Sequence, residues 1–406
     1  MPPSIEPRVI GARLKEARRS RGIIQETAAE QIGVSRTTIT AMEQGLRRVS
    51  PVELMKLASL YGRTVNELVR LGEPVEDFAV QLRSTLGQRA SEEADLSIYV
   101  AVFQRLCEDY FELERICNAP MNRKYPEMYQ IQHVEPEGAG EDIAMTERNR
   151  LGMGDGPILH LRELLESDVG LRIFYIDLPS RVAAMFAYTE KFGGCIAVNL
   201  KHPEERRRMS IAHDYAHFLT HRFRADIVRL GQHQRKPAHE RFADAFARYF
   251  IMSPAGLRRR YNDLLQSREG RITPADLCRL ADYYSVSVEA LTRMLEELRL
   301  LKVGTWDKLV GDGFRVREAQ NMLDLPGHRN TEYPLPSRYY YLAVEAFRRG
   351  DISEGQFAHF LRLDRRAARE LATHFSTQFD LTEGGALGEL PLDLGNILQV
   401  TRGQTG

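Results

Sequence analysis

The stretch Ile211-Ala212-His213-Asp214-Tyr215-Ala216-His217 decides most of how this 406-residue chain is interpreted. On a helix, its two histidines lie on one face, about 6 Å apart along the axis. Two neutral imidazoles at that spacing can hold one Zn²⁺ ion. In the usual zinc-peptidase pattern, H-E-x-x-H, a glutamate follows the first histidine and accepts a proton from the attacking water. Asp214 stands in that position here and is one methylene shorter.

Composition narrows the class of protein before any other motif is considered. The length predicts two to four domains, and an apolar fraction of 43% is ample for buried cores. No apolar run reaches the length of a membrane span, and the first residues lack the apolar region of a signal peptide. Four widely spaced cysteines without a C-x-x-C pair indicate reduced thiols in a cytoplasmic protein: Cys107, Cys117, Cys195 and Cys278.

Charge is unevenly distributed along the chain although the net charge is zero. Residues 1–70 contain twelve lysines and arginines against seven glutamates and no aspartate, so this segment is about +5. The remainder compensates with about −5. A basic module at one end favours a polyanionic partner there.

The basic segment contains start and stop signals for five short helices. The pattern predicts helices over 9–20, 25–32, 36–44, 52–61 and 65–69, with Gly33 at a tight turn and Ser35 as a cap. Residues 71–74 end the unit. Helical spacing continues from Val75 to about Cys117, which predicts connecting helices that could also dimerise.

Residues 25–45, QETAAEQIGVSRTTITAMEQG, resemble the helix-turn-helix of the Xre/Cro/phage-repressor family, and the resemblance spans 8–70. It implies a five-helix lambda-repressor-like domain that binds double-stranded operator DNA as a homodimer. Arg36 and Thr37 would meet base edges, with Ala41 one turn on. The residues implied to face DNA are Gln25, Ser35, Arg36, Thr37, Thr40, Ala41, Gln44 and Arg47. The alternative is a helical bundle that contacts only protein.

Histidine spacing alone is weak support for a metal site, because His217 and His221 form a second pair four residues apart. Clustering strengthens it: six of the eleven histidines lie between His202 and His239. Short β-branched or aromatic runs precede the pair and predict strands over 171–178, 183–188 and 195–200. Helices are predicted over 142–150 and 157–166, upstream of these strands.

Residues 239–254, HERFADAFARYFIMSP, resemble the second motif of the ImmA/IrrE metallopeptidase family, and the similarity covers roughly 140–300. It implies a zincin-like domain in which His213, His217 and Glu240 hold zinc and leave a fourth position open. Asp214 would be the catalytic acid–base, and we expect Asp244 to accept a hydrogen bond from a ligand histidine. His221 is expected to be exposed or to support the ligands.

The predicted fold class is mostly α, with an α+β zincin-like middle domain and the five-helix domain at the N-terminus. The predicted domains are 1–72 (helix-turn-helix), 73–139 (helical linker or dimerisation region), 140–262 (metallopeptidase-like) and 263–406 (helical, with helix-turn-helix-like stretches at 271–299 and 350–375).

Three functions remain open from the sequence. The first, placed slightly ahead because of Asp214, is a transcriptional regulator whose zinc domain senses a signal and cuts weakly or not at all. The second is an active zinc protease that cleaves a partner repressor or its own linker within 118–140. The third is a peptidase whose basic head binds protein. Operator, signal and pathway, including phage defence and stress response, are left undetermined.

Overall fold

A computed structural model describes residues 7–61, 65–69, 90–131, 135–229, 237–325, 333–376, 379–381 and 387–389. The chain divides into two units, 1–80 and 81–406, and each is described by itself. The turn expected at 71–74 and the helical spacing expected from 75 to 89 lie outside the described residues.

The described residues of the N-terminal unit form five helices, as expected. They are α1 (Pro7–Ser20), α2 (Gln25–Ile32), α3 (Arg36–Glu43), α4 (Pro51–Tyr61) and α5 (Val65–Val69). The local signals act as the sequence indicates. Gly33 ends α2 with a positive φ of 78°, and the Ser35 hydroxyl accepts a hydrogen bond from the Thr38 N–H to cap α3. Their apolar faces close one core around Leu14, Ile39 and Leu57.

A four-stranded mixed sheet organises the second unit. Its strands are β1 (Arg172–Ile176), β2 (Val182–Thr189), β3 (Gly193–Asn199) and β4 (Asp226–Arg229), in the order β1-β3-β2-β4. Strands β1 and β3 run parallel, while β2 is antiparallel to both β3 and β4. Three of these strands match the expected positions; β4 was not anticipated, because it offers only two apolar residues in a polar stretch.

Five helical elements surround this sheet. They are α6 (Ala90–Ile116), α7 (Pro136–Arg150), α8 (Leu161–Leu164, continued by a π-helical turn at Leu165–Val169), α9 (Glu204–His221) and α10 (Ala238–Ile251). Helix α7 starts six residues before the expected position, with Pro136 at its first turn. The helix expected from residue 157 starts only at Leu161, because the preceding loop turns at Gly152 and Gly154 with positive φ.

Helices α6 and α9 cover opposite faces of the sheet. Phe174 of β1 meets Phe103 of α6 edge-on, at 6.3 Å between ring centroids. Phe186 of β2 points to the other face and meets Phe218 of α9 at 6.4 Å. The residues 90–116 of the expected connecting region are therefore packed into the second unit. A buried ion pair, Arg172 to Glu114 at 2.7 Å, joins α6 to β1 in addition.

The rest of the second unit is helical. The elements are α11 (Pro254–Ser267), α12 (Pro274–Tyr284), α13 (Val288–Glu297), α14 (Thr305–Gly311), α15 (Val316–Met322), α16 (Ser337–Arg348), α17 (Glu354–Leu361) and α18 (Arg365–Ser376), followed by a strand pair, β5 (Phe379–Leu381) and β6 (Leu387–Glu389). The two helix-turn-helix-like stretches form the pairs α12–α13 and α17–α18. These elements confirm a mostly α fold with an α+β middle. None of the described helices is long and apolar enough to cross a membrane.

Candidate metal centre and nucleic-acid interface

Two helices, α9 and α10, bring the expected ligand residues together. His213 and His217 lie one turn apart on α9, and both side chains are buried. Glu240 lies in the first turn of α10, at the end of that helix nearest the two histidines. The apolar residues of α9 pack against the sheet and against α10, which fixes the imidazoles on the face that meets Glu240.

The candidate donor atoms are close to one another. The two Nε2 atoms are 3.1 Å apart. Glu240 contacts both imidazoles, with Oε2 at 3.4 Å from His213 Nε2 and Oε1 at 3.3 Å from His217 Nε2. Within the described part of the chain, these three residues are the group of histidine, cysteine or acidic side chains with ligand atoms close enough to share a metal ion.

The donor set fits zinc. Ligand bonds of about 2.0–2.1 Å in a tetrahedron place neighbouring donor atoms about 3.3 Å apart. The two imidazole nitrogens are 3.1 Å apart, and each lies 3.3–3.4 Å from a different oxygen of the Glu240 carboxylate, so the donor atoms have spacings close to those around one zinc ion. Two imidazoles and one carboxylate leave the fourth corner for another ligand, which is the arrangement of an open rather than a closed structural site.

Asp244 lies against the first candidate ligand. Its Oδ1 is 3.1 Å from His213 Nδ1, one turn beyond Glu240 on α10. With Nδ1–H donating to Asp244, the Nε2 lone pair of His213 points toward the other donors. Burial alone lowers the pKa of His213, but hydrogen bonds to Asp244 and Glu240 outweigh it and raise that pKa to about 10. A metal ion must therefore displace a proton here.

Glu240 is strongly biased toward its ionised form. Burial raises the pKa of its carboxyl, but hydrogen bonds from His213 and His217 outweigh burial and hold that pKa well below its usual range. A carboxylate that stays ionised is the form that ligates a cation. The three side chains together thus present one negative oxygen donor beside two nitrogen donors.

Asp214 is placed differently from an accessible general base. Its residue is fully buried, and both carboxylate oxygens are shielded from solvent. Its charge contributes to the raised pKa of His213.

Three further side chains line a small cavity beside His217: His221, Arg224 and His239. Its volume of about 20 Å³ is room for about one water molecule. His221 is half-buried, and burial together with the neighbouring His217 and His239 lowers its pKa. Its Nδ1 lies 2.8 Å from the Thr220 hydroxyl, in keeping with a supporting position.

A buried polar network beneath the site was not anticipated from the sequence. The Tyr215 hydroxyl donates a hydrogen bond to Glu147 of α7. Arg150 and Tyr129 also donate to the Glu147 carboxylate, at 2.7 and 2.8 Å. This network ties α7 and the 121–131 segment to the helix that carries both histidines. Its members are far apart in sequence, so no local spacing signals it.

In the N-terminal unit, the expected DNA-facing residues are mostly at the surface. Ser35, Arg36 and Thr37 are exposed at the start of α3, while Thr40 and Ala41, one turn on, are half-buried. Gln44 and Arg47 are exposed just after that helix. Arg47 is engaged by Glu53 at 2.9 Å, an exposed pair that a phosphate could replace.

Gln25 is held by protein contacts. Its amide nitrogen donates to Glu43 Oε2 at 2.8 Å, and its amide oxygen accepts from the Thr40 hydroxyl at 3.4 Å. Glu43 also forms a buried ion pair with Arg18 at 2.5 Å. These contacts fix the orientation of the Gln25 side chain at the start of α2. The side chain is half-buried there, beside α3.

The comparisons with known proteins agree with this division. The helix-turn-helix family model matches residues 14–68, and the IrrE N-terminal-like domain of the M78 peptidases matches residues 166–296. No curated protein sequence matches the chain.

Two solved structures align over most of the chain. ComR from Streptococcus suis aligns over 92% of this chain and 90% of its own, with 12% identity and a TM-score of 0.16. PlcR from Bacillus thuringiensis, in complex with the peptide PapR7 and DNA, aligns over 91% and 94%, also with 12% identity and a TM-score of 0.16. Neither likeness informs the function. The two family matches show that this chain joins an Xre-like helix-turn-helix domain to an ImmA/IrrE-like, M78-peptidase-type domain.

Proposed function

We propose that this chain is a DNA-binding transcriptional repressor whose ImmA/IrrE-like domain holds zinc and senses a signal. The observation that carries the proposal is the contrast between the ligands and the neighbouring acid. His213, His217 and Glu240 have the mutual distances of a zinc site, whereas both oxygens of Asp214 are shielded from solvent.

A bound zinc ion would supply Lewis-acid activation of a water or of a ligand atom. In peptide hydrolysis, the residue after the first histidine must accept the proton of the attacking water. Asp214 reaches about 1.5 Å less far than glutamate, and a misplacement of about 1 Å costs about a hundredfold in rate. Its burial adds to this deficit, so the domain is better suited to binding than to cutting.

The N-terminal five-helix domain, called the head below, has side chains at the start of α3 that suit duplex DNA. Arg36 and Thr37 are exposed there, and an arginine at this position can fork onto guanine. Arg47 and Arg48 add exposed positive charge after the helix. Heads of this type read paired half-sites, which supports a homodimer as the binding form.

The alternative is an active zinc protease, which the complete ligand set favours. Under that alternative we infer that the substrate is a partner repressor. Residues 118–131 of the proposed self-cleavage segment are hydrogen-bonded along the domain, for example from Lys124 N to the Val169 carbonyl and from Tyr129 N to the Leu219 carbonyl. Residues 132–134 lie outside the described residues.

The first test concerns DNA. Duplexes selected from a genomic library would be titrated by fluorescence anisotropy with wild-type protein, Arg36→Ala and Arg21→Ala. Arg36→Ala should lose about 1–3 kcal/mol of binding free energy at the selected site. Arg21 is an exposed arginine outside α3, so Arg21→Ala should bind normally. Equal binding by all three proteins, or no duplex retained, would favour a head that binds protein.

The second test concerns cleavage. Zinc-loaded wild type, Asp214→Glu and Asp214→Ala would be incubated alone and with candidate repressors, and products read by mass spectrometry. We expect no cleavage by wild type or Asp214→Ala, and a gain of cleavage in Asp214→Glu. Wild-type cleavage that disappears in Asp214→Ala would refute the sensor proposal and establish the protease.

A further inference from the structure

A second cleft of the 81–406 unit is lined by arginines and is separate from the zinc ligands. It has a volume of about 480 Å³ and lies where the end of α11 meets the start of α12. Three arginines line it: Arg268, Arg271 and Arg279. All three are exposed, and the side chains of Arg268 and Arg279 retain 50% of their accessible surface. The cleft therefore offers guanidinium groups that a ligand can reach.

A buried carboxylate orients two of these arginines. Asp276 is only 1% exposed, and its Oδ1 lies 3.2 Å from Arg268 and 3.6 Å from Arg279. Its other oxygen accepts hydrogen bonds from the Thr273 N–H and hydroxyl, at 3.0 and 2.7 Å. Hydrogen bonds from Thr273 and the charges of both arginines outweigh burial and lower the pKa of Asp276. The carboxylate thus stays ionised and holds two guanidiniums in place, so less side-chain entropy is lost when a ligand binds.

The cleft keeps an excess of positive charge after this pairing. Three guanidiniums face two carboxylates, the buried Asp276 and the exposed Glu269, so the lining carries a net charge of about +1. The planar N–H groups of a guanidinium match the geometry of phosphoryl oxygens. Three guanidiniums therefore suit a dianionic phosphoryl group better than a ligand with a single carboxylate. The volume lies in the range of clefts that bind small molecules.

We propose that this cleft binds the phosphoryl group of a small phosphorylated ligand of about mononucleotide size. The site is independent of the zinc ligands and of whether the zinc domain cuts. Duplex DNA is disfavoured as the ligand, although α12 and α13 form a helix-turn-helix pair. Helix α13 presents Glu289 and Glu297 at the surface, and its exposed Arg293 is paired with Glu289 and Asp307. Those carboxylates would repel a phosphate backbone laid across the pair.

The test is isothermal titration calorimetry on the full chain at constant ionic strength. The probes are inorganic phosphate, adenosine monophosphate, adenosine and a short duplex of unrelated sequence. The proteins are wild type, the double variant Arg268→Gln/Arg279→Gln, Arg271→Gln, and Arg293→Gln as an exposed arginine outside the cleft. Thermal midpoints would confirm that every variant is folded, and Arg271→Gln keeps the test valid if the double variant is not.

The expected result is saturable binding of adenosine monophosphate at or below about 1 mM, weaker binding of phosphate, and none of adenosine. Each arginine variant of the cleft should weaken that binding by about tenfold or more, and Arg293→Gln should leave it unchanged. Any of three results would overturn the proposal. These are no binding of either phosphate-bearing probe, adenosine binding as well as its monophosphate, or duplex binding that alone depends on Arg268, Arg271 and Arg279.

Discussion

Gly140 lies where α7 packs closely against α10, the helix that carries Glu240. A methyl group on Gly140 would lie 2.7 Å from Ala245 Cβ and 2.8 Å from Phe246 N, both on α10. Carbon atoms in contact prefer about 3.5–4.0 Å, so Gly140→Ala must push α10 away by about 1 Å. Overpacking of this kind costs about 1–3 kcal/mol. The change also displaces the helix that carries Glu240, so zinc affinity should fall with stability.

Gly138 provides a matched control on the same helix. It is exposed, and a methyl group there would meet nothing within 4 Å. Gly138→Ala should therefore stabilise the chain by about 0.4–1 kcal/mol through helix propensity and a less flexible unfolded state. The two alanine variants should differ by about 1.4–4 kcal/mol in free energy of unfolding.

Urea unfolding followed by the fluorescence of Trp306, the one tryptophan of the chain, measures this difference in the unit that contains the site. Zinc affinity follows from competition with a coloured chelator. Equal stability of Gly140→Ala and Gly138→Ala, with unchanged zinc affinity, would refute the close packing of α7 on α10 and its role in placing Glu240.

Two further predictions concern acidic side chains. Asp244→Asn should weaken zinc binding by about 10–100-fold because His213 loses its carboxylate partner, and the exposed Asp263→Asn should not; equal affinities in the chelator competition would contradict this. Burial raises the pKa of Glu166 to about 7, although Arg162 opposes the shift. The folded chain then retains a proton that the unfolded chain releases, so the free energy of unfolding should fall by about 3 kcal/mol as pH rises from about 4.5 to about 7. Urea titrations across that range should lose this decline in Glu166→Gln, and a decline of the same size in the variant would show that Glu166 is not its source.

The five-helix N-terminal domain and the shared helix face of the two histidines could be predicted because their signals are local. Gly33 and Ser35 delimit the turn between α2 and α3 through backbone conformation and a side-chain cap, and the structure has both. His213 and His217 are four residues apart, so they lie on one face of any helix that contains them. The second motif also placed Glu240 and Asp244 four residues apart, which is one turn of α10.

The features that sequence reasoning missed depend on contacts between distant segments. Arg148, Arg172 and Arg207 are all buried, and no sequence pattern indicated it. Arg148 donates to the carbonyls of Gly154 and Phe250, and such acceptors have no sequence signature. For Asp214, the sequence indicated the chemistry of the side chain but not its surroundings. Its type predicted a weak base, whereas its burial follows from the packing of α9, which no spacing rule gives.

Metal content of the purified chain tests directly whether His213, His217 and Glu240 hold zinc. Plasma mass spectrometry would compare wild type, His217→Ala and His221→Ala after exposure to zinc and removal of excess ion. We expect about one zinc per chain in wild type and in His221→Ala, and none in His217→Ala. No zinc in wild type, or equal loss in both variants, would contradict the assignment of His213, His217 and Glu240 as its ligands.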